Sequence, residues 1–372
     1  MKVAIVCDDL VQHGGAEKIV EAVSDIFPDA PIYTTVATKS WCDYFLSKNR
    51  RVITSFLQKF PFVTKLNRYY SVCYFHVLAI ESFDFSNYDL VFSISSRYAH
   101  FAITNSETKH ICYLNTPGRM FWEPFDYFDK ESFGVPNFLK GTAMFFVRPF
   151  ISLMRLADVP AMKRVDLVIS NSKTTQNRVK KYHGVESSIT YPFCSLHPEV
   201  KKDAKDDYYL ILTRLVSWKR VDIAIRACEK MGKKLKIAGE GPDMKRLHSL
   251  AGENVEFLGR VSDEAKWVLF ANCRALINTQ KEDFGIVPLE AMASGKPVIA
   301  YKAGGALETV VEGKTGVFFD EQTAESLSNC IERFEKMTFE PDSCIKRAEQ
   351  FSFENFKCSI LEKVNDLICT KS

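Results

Sequence analysis

Short apolar runs alternate with longer stretches of helical spacing from one end of the chain to the other. Val3–Cys7 (VAIVC) is apolar throughout, which predicts a strand buried on both faces. A turn at His13-Gly14-Gly15 and a helix from Ala16 to Ile26 follow. Further strands are predicted at Ile32–Val36, Leu90–Ser93, Ile111–Leu114 and Leu167–Ser170, with helix-like stretches at Val63–Ile80 and Phe138–Arg164 between them. The second half keeps the rhythm, with strand runs at Tyr208–Thr213, Leu235–Ala238, Val255–Leu258, Ala275–Asn278, Pro297–Ala300 and Gly316–Phe319. Short apolar strands spaced by helices imply parallel sheets covered on both faces. Tyr191–Asp207, between the halves, has weaker periodicity, two prolines and a charge-dense tail. It reads as an interdomain linker or as a surface loop of one large domain. The expected architecture is two doubly wound α/β domains, with ligand at the carboxyl ends of the strands.

Composition narrows the function. A chain of 372 residues exceeds one ordinary core, and 46% apolar with 26% charged residues is the mixture of a folded globular protein. Lys plus Arg (49) nearly balances Asp plus Glu (46), which argues against a dedicated nucleic-acid binder. No apolar run is long enough to span a membrane. The opening MKVAIVCDDL runs straight into a strand without the pattern of a secretory leader, so a cytoplasmic location is expected. The eleven cysteines are scattered, with no C-x-x-C pair and no zinc spacing. They read as small buried hydrophobes in a reducing compartment.

The candidate chemistry begins at Glu282-Asp-Phe-Gly-Ile-Val-Pro-Leu-Glu290, two carboxylates spanning a glycine loop and the start of a helix at Pro288–Ala293. Such a loop presents backbone N–H groups to an anion, and carboxylates beside it accept hydrogen bonds from sugar hydroxyls. Alternatively the acids only complement the helix dipole. Upstream, Leu212-Thr-Arg214-Leu-Val-Ser-Trp-Lys219 sets two cations before a helix, where cations are unfavourable unless an anion or solvent compensates them. Ile237-Ala-Gly239-Glu-Gly-Pro242 is a glycine turn after a strand, and so is Gly14-Gly15-Ala-Glu17. His100, in Ser95-Ser-Arg-Tyr-Ala-His100-Phe, closely follows a strand and reads as a ligand contact or as a structural histidine.

The ordered block Glu282–Glu290, Gly295-Lys-Pro-Val, Ala303-Gly-Gly-Ala-Leu-Glu308 and the Arg214…Lys219 loop resembles the donor-binding half of retaining GT-B nucleotide-sugar glycosyltransferases of family four, bacterial polysaccharide mannosyltransferases among them. The resemblance is strong over 208–320 and looser over 1–190. It implies a GT-B fold of two Rossmann-like doubly wound domains facing a central cleft. These are an acceptor domain at 1–195, a donor domain at 196–350, and a C-terminal helix at 351–372 that packs back on the first domain. It implies transfer of a hexose, mannose from GDP-mannose first, to a hydroxyl of a lipid-linked oligosaccharide in surface-polysaccharide assembly. A UDP-glucose-type donor, or a nucleotide-sugar-binding subunit without turnover, is the alternative.

By position in these motifs, Arg214 and Lys219 neutralise the leaving diphosphate, Glu282 orients the sugar and Glu290 binds the ribose. Charge-assisted hydrogen bonds of this kind are worth about 1.5–3 kcal/mol each. Gly14 and Gly15 face the phosphates, Gly239, Phe284, Gly285, Ile286 and Val287 line the donor, and Arg260 and Val261 line the base. His100 contacts the sugar near its primary hydroxyl, and Asn115, Arg119 and Trp122 belong to the acceptor side. Many relatives carry His where this chain has Asn115; an amide hydrogen-bonds a hydroxyl but does not shuttle a proton near neutral pH. The implied reaction is a front-side displacement in which the departing phosphate takes the acceptor proton.

No D-x-D motif occurs: Asp126 and Asp129 are three apart and Asp8-Asp9 are adjacent. Fixed cations therefore take a metal's role, and no metal or other cofactor is expected. Pro136–Arg164 is apolar and basic with a single acid, Asp158, and Phe56–Tyr74 is basic and aromatic. Both suit peripheral contact with an anionic membrane surface, or ordinary core helices with snorkelling cations. A nucleotide-sugar epimerase fits the carboxylate block less well, and a dehydrogenase would need G-x-G-x-x-G.

Overall fold

The computed structural model describes residues 1–12, 14–71, 74–124, 140–196 and 207–369. His13, Asp126, Asp129, residues 136–139 and residues 197–206 of the expected linker lie outside these. The chain divides between Tyr191 and Pro192 into two compact units, and the C-terminal segment from Lys357 groups with the first.

The first unit is built on a wholly parallel sheet of seven strands, β1 (Val3–Cys7), β2 (Ile32–Thr34), β3 (Val52–Thr54), β4 (Leu90–Ser95), β5 (Lys109–Leu114), β6 (Leu167–Ser170) and β7 (Ser188–Ile189), in the order β3-β2-β1-β4-β5-β6-β7. All five residues of β1 and all six of β4 are buried, as the unbroken apolar runs predict. The sequence pattern does not disclose β3 and β7. They are edge strands of three and two half-buried residues, too short to carry a period.

The helix-like stretch Val63–Ile80 is two helices, Val63–Tyr70 and Phe75–Glu81. Ser71 turns its hydroxyl back onto the Asn67 carbonyl at 2.8 Å, and its own carbonyl accepts the Tyr98 hydroxyl. Helix Lys140–Lys163 runs on through Pro149 and Pro160. The last helix, Phe353–Cys369, buries Ile360 and Val364, and its Ser359 hydroxyl lies 2.9 Å from that of Thr190 at the end of β7.

The second unit holds a six-stranded parallel sheet: β8 (Tyr209–Leu212), β9 (Leu235–Ala238), β10 (Val255–Gly259), β11 (Ala275–Asn278), β12 (Val298–Tyr301) and β13 (Gly316–Phe319), ordered β10-β9-β8-β11-β12-β13. One face is covered by a cluster that includes Ile211, Ile225, Ile237 and Ile331, the other by one that includes Leu210, Phe270, Leu289 and Met292. In each sheet the strand order reverses once, between β1 and β4 and between β8 and β11. Loops leaving two such strands part to opposite faces and leave a crevice at their carboxyl ends.

Candidate donor site in the second unit

The loops that leave β8 and β11 at the switch point carry Arg214 to Lys219 and Glu282 to Gly285. After β8 the chain runs through Arg214, which is exposed, into a single turn at Ser217–Lys219, and enters helix Val221–Met231 through Arg220 in a left-handed conformation. That sharp entry turns Lys219 inward, where its ammonium ion-pairs with Glu282 Oε1 and lies 4.3 Å from the Trp218 ring centroid. The Thr279 hydroxyl, just past β11, donates to the Lys219 carbonyl at 2.7 Å and ties the two loops together. Lys219 and Glu282, 63 residues apart in sequence, thus meet.

Glycines let these loops approach backbone to backbone. A Cβ on Gly239 would fall 1.9 Å from the Thr213 carbonyl oxygen, and one on Gly305 2.1 Å from that of Phe284. Gly239 therefore fits the turn after β9 against the Arg214 loop, a role in packing that its place in the motif did not disclose. Gly285 starts helix Ile286–Ala293 at a φ of 87°, and a Cβ there would meet Glu282 Oε2 at 2.8 Å. Any side chain at Gly285 would displace the carboxylate. Phe284 is buried and packs on Phe351, so it anchors the loop from below. Ile286 and Val287 are half-buried on the first turn of that helix, while Arg260, exposed, and Val261, half-buried, follow β10.

Glu290 sits one turn further along the same helix, 3% exposed, and accepts a hydrogen bond at 3.0 Å from Lys266 Nζ. Lys266, on helix Asp263–Asn272, is 8% exposed and also reaches Asp263 at 3.1 Å. Burial opposes its charge, but the Glu290 and Asp263 carboxylates outweigh that and hold the ammonium above its ordinary pKa. Sequence reasoning missed Lys266. In SDEAKW it looks like an exposed helix residue, and the only signal is its i,i+3 spacing from Asp263.

The predicted residues of the first unit have a different setting. Gly14 and Gly15 are exposed at the start of helix Gly15–Ile26, with Gly14 as its N-cap. Beside them Glu17 is buried, and its Oε2 has no hydrogen-bond partner among the described residues. Burial, with Asp9 and Asp8 adding to it, pushes this carboxyl up to about 7 against the pull of Arg97.

His100 does not project beyond the strand ends as its place after β4 suggests. It is 2% exposed, with Nδ1 at 2.9 Å from the Ser95 hydroxyl and Nε2 at 2.8 Å from Asp158. Asp158 also meets His183 Nε2 at 2.7 Å and accepts the Trp122 indole N–H at 2.6 Å. Burial works against the Asp158 charge, yet its two histidine partners hold its pKa far below the usual carboxylate range. Trp122 stacks flat on Tyr182, centroids 4.9 Å apart. Asn115, half-buried after β5, donates to the Ser96 hydroxyl at 3.4 Å, and Arg119 is half-buried on the short helix Arg119–Trp122. The two members of this network that the sequence reading did not connect, Asp158 and His183, lie 25 residues apart. The signal for Asp158 was its standing as the one acid in a basic, apolar stretch.

Known proteins align with this layout. Residues 195–351 match the family Glycosyl transferases group 1. Over 88 residues, 23% of this chain and 20% of the relative, the sequence is 47% identical to alpha-1,3/1,6-mannosyltransferase ALG2 of Dictyostelium discoideum. Over 138 residues, 32% of this chain and 36% of the relative, it is 35% identical to the GDP-mannose-dependent alpha-(1-6)-phosphatidylinositol monomannoside mannosyltransferase of Mycolicibacterium smegmatis. The chain thus spans well under two thirds of the length of these curated relatives. HepE of Anabaena, solved in complex with UDP, superposes with a TM-score of 0.72 over 98% of this chain and 100% of its own, at 20% identity, which establishes the fold. The stretch similar to Glycosyl transferases group 1 thus lies in the second unit, and the two Rossmann-like units are those of the GT-B fold.

Proposed function

We propose that the protein is a retaining hexosyltransferase that moves mannose from GDP-mannose to a hydroxyl of a lipid-linked oligosaccharide in surface-polysaccharide assembly. The observation that carries this reading is the Lys219–Glu282 pair at the switch point of the second sheet, with Glu290 one turn behind it. Arg214 and Lys219 take up the charge that builds on the departing diphosphate, without a metal. Glu282, released from Lys219 by the phosphates, orients the sugar; Glu290 accepts from the ribose hydroxyls. Arg260 and Val261 lie beside the base. Asn115, Arg119 and Trp122 act on the acceptor side.

Mannose is preferred because both relatives quoted above are mannosyltransferases, one of them GDP-mannose-dependent by name. UDP in the HepE structure supports the second reading, a UDP-sugar donor. A lipid-linked acceptor is supported by helix Lys140–Lys163, which exposes Phe145 (69%), Phe146, Phe150, Leu153 and Leu156 (74%). Among the described residues no helix is long and apolar enough to cross a membrane, so this face fits contact with a leaflet surface.

Thermal-shift titration against GDP, UDP, GDP-mannose and UDP-glucose, with and without EDTA, tests the donor. A ligand at 100 times its Kd adds about 2.7 kcal/mol of stability. Selective stabilisation by GDP ligands, indifferent to EDTA, is the expected result. Selective stabilisation by UDP ligands would move the reading to the UDP-sugar donor, and silence from all four would overturn it. Co-flotation with anionic liposomes at low salt tests the membrane contact, and absence of binding would count against it.

A further inference from the structure

We infer that Lys266 is a positioning residue for nucleoside recognition, holding the Glu290 carboxylate in one orientation so that it reads the sugar of the nucleotide. The inference deepens the donor-site reading above and rests on it. Burying an ion pair is expensive, and two apolar residues of similar volume usually serve stability as well or better. Here a lysine and a glutamate 24 residues apart are both almost wholly removed from water and joined at 3.0 Å. The surrounding cluster, with Trp267, Phe270, Leu289, Ala291 and Met292, is apolar and would accept such a replacement.

What an apolar pair would lose is a fixed anionic acceptor on the helix that opens at Gly285. An ionised carboxylate only accepts, through two oxygens in one plane, and so suits the adjacent hydroxyls of a ribose. A carboxylate free to rotate would not hold that geometry. Lys266, bonded to one Glu290 oxygen at 3.0 Å, fixes the plane in which the other is presented. Its second partner, Asp263 at 3.1 Å, restrains the ammonium from the solvent side.

The test compares binding of GDP and 2′,3′-dideoxy-GDP, or the UDP pair if UDP is the ligand found, to the full chain and to Lys266→Met, Lys266→Gln and Lys266→Arg. Inorganic pyrophosphate serves as a probe of the phosphate positions alone. The wild type is expected to prefer the ribonucleotide by roughly tenfold or more, the worth of hydrogen bonds to a charged acceptor. Lys266→Met and Lys266→Gln should reduce that preference to near unity while pyrophosphate binding stays unchanged, and Lys266→Arg should restore most of it. Lys266→Gln, which keeps a polar group of similar reach, decides the matter if Lys266→Met does not fold. A folded variant without the cation that keeps the full preference overturns the inference and leaves the donor site standing. A wild type that binds nucleotide with no preference for ribose also overturns it. A folded wild type that binds neither nucleotide nor pyrophosphate overturns the donor-site reading itself, and this inference with it.

Discussion

The two units share one sheet topology and use the same place in it differently. At the switch point of the first, Asp8 leaves β1 and its carboxylate accepts the N–H groups of Ser96 (2.7 Å), Tyr98 (2.8 Å) and Ala99 (2.7 Å), while Asp9 pairs with Arg97 at 2.5 Å. The register that sets Cys7 beside Ile94 makes this cage possible. At the switch point of the second, Lys219 and Glu282 meet each other through side chains, on loops whose backbones are held by Thr279 and the glycines. At the first, the Asp8 carboxylate is taken up by its own backbone. At the second, a cation and an anion hold each other, a contact that a phosphate and a sugar replace on the reading proposed above. Polar residues at strand ends thus divide into those the fold consumes and those it holds ready, and hydrogen-bond partners tell them apart.

The comparison breaks first at Asp158. Replacing it with Ala strands His100, His183 and the Trp122 indole around an empty centre, and a loss of about 3–5 kcal/mol is expected, read by urea denaturation. A loss under about 1 kcal/mol would show that the network is not what the first unit depends on.

Glu17 sharpens it through pH. Its folded pKa, about 7, lies above the unfolded value near 4.5, so the folded state binds the extra proton. Its contribution is therefore full below pH 4.5 and is lost as pH rises to about 7, by up to about 3 kcal/mol. Glu17→Gln should flatten that part of the stability profile and raise stability at pH 8. His76 and His110, pushed down to about 4 and about 3 by burial, act oppositely, costing stability as pH falls below 6.5, and serve as the internal control.

In the second unit, Lys219→Ala should weaken nucleoside diphosphate binding by roughly 10- to 100-fold, as loss of a charge-assisted bond predicts, with little change in melting temperature. Asn115→Ala, removing one long hydrogen bond at 3.4 Å, should alter stability by less than about 1 kcal/mol while slowing transfer to acceptor. Unchanged transfer would remove Asn115 from the acceptor side.

Much of the fold was legible because β1, β4, β8 and β11 are near-continuous apolar runs, and buried parallel strands leave little choice. The edges were not, since β3 and β7 are too short to show a period. Lys219 and Glu282 were legible as members of ordered blocks with glycines at fixed places. Lys266 and Asp158 were not, because a single charged residue in a helix looks the same whether it meets solvent or a partner from another element. His100 was read as closely following a strand, and it lies in the short turn Ala99–Phe101 after β4, but no local pattern shows that a carboxylate 58 residues later takes its outer nitrogen.

The Thr190 to Ser359 contact joins residues 169 apart, across the entire second unit. On the ribosome, every strand of the first sheet emerges long before the helix segment from Lys357 that belongs with it. The second unit, whose strands run from Tyr209 to Phe319, has its whole sheet available earlier than the first has its last helix. The domain made first is thus the one completed last, and until then the apolar surface that Ile360 and Val364 will cover stays open to water.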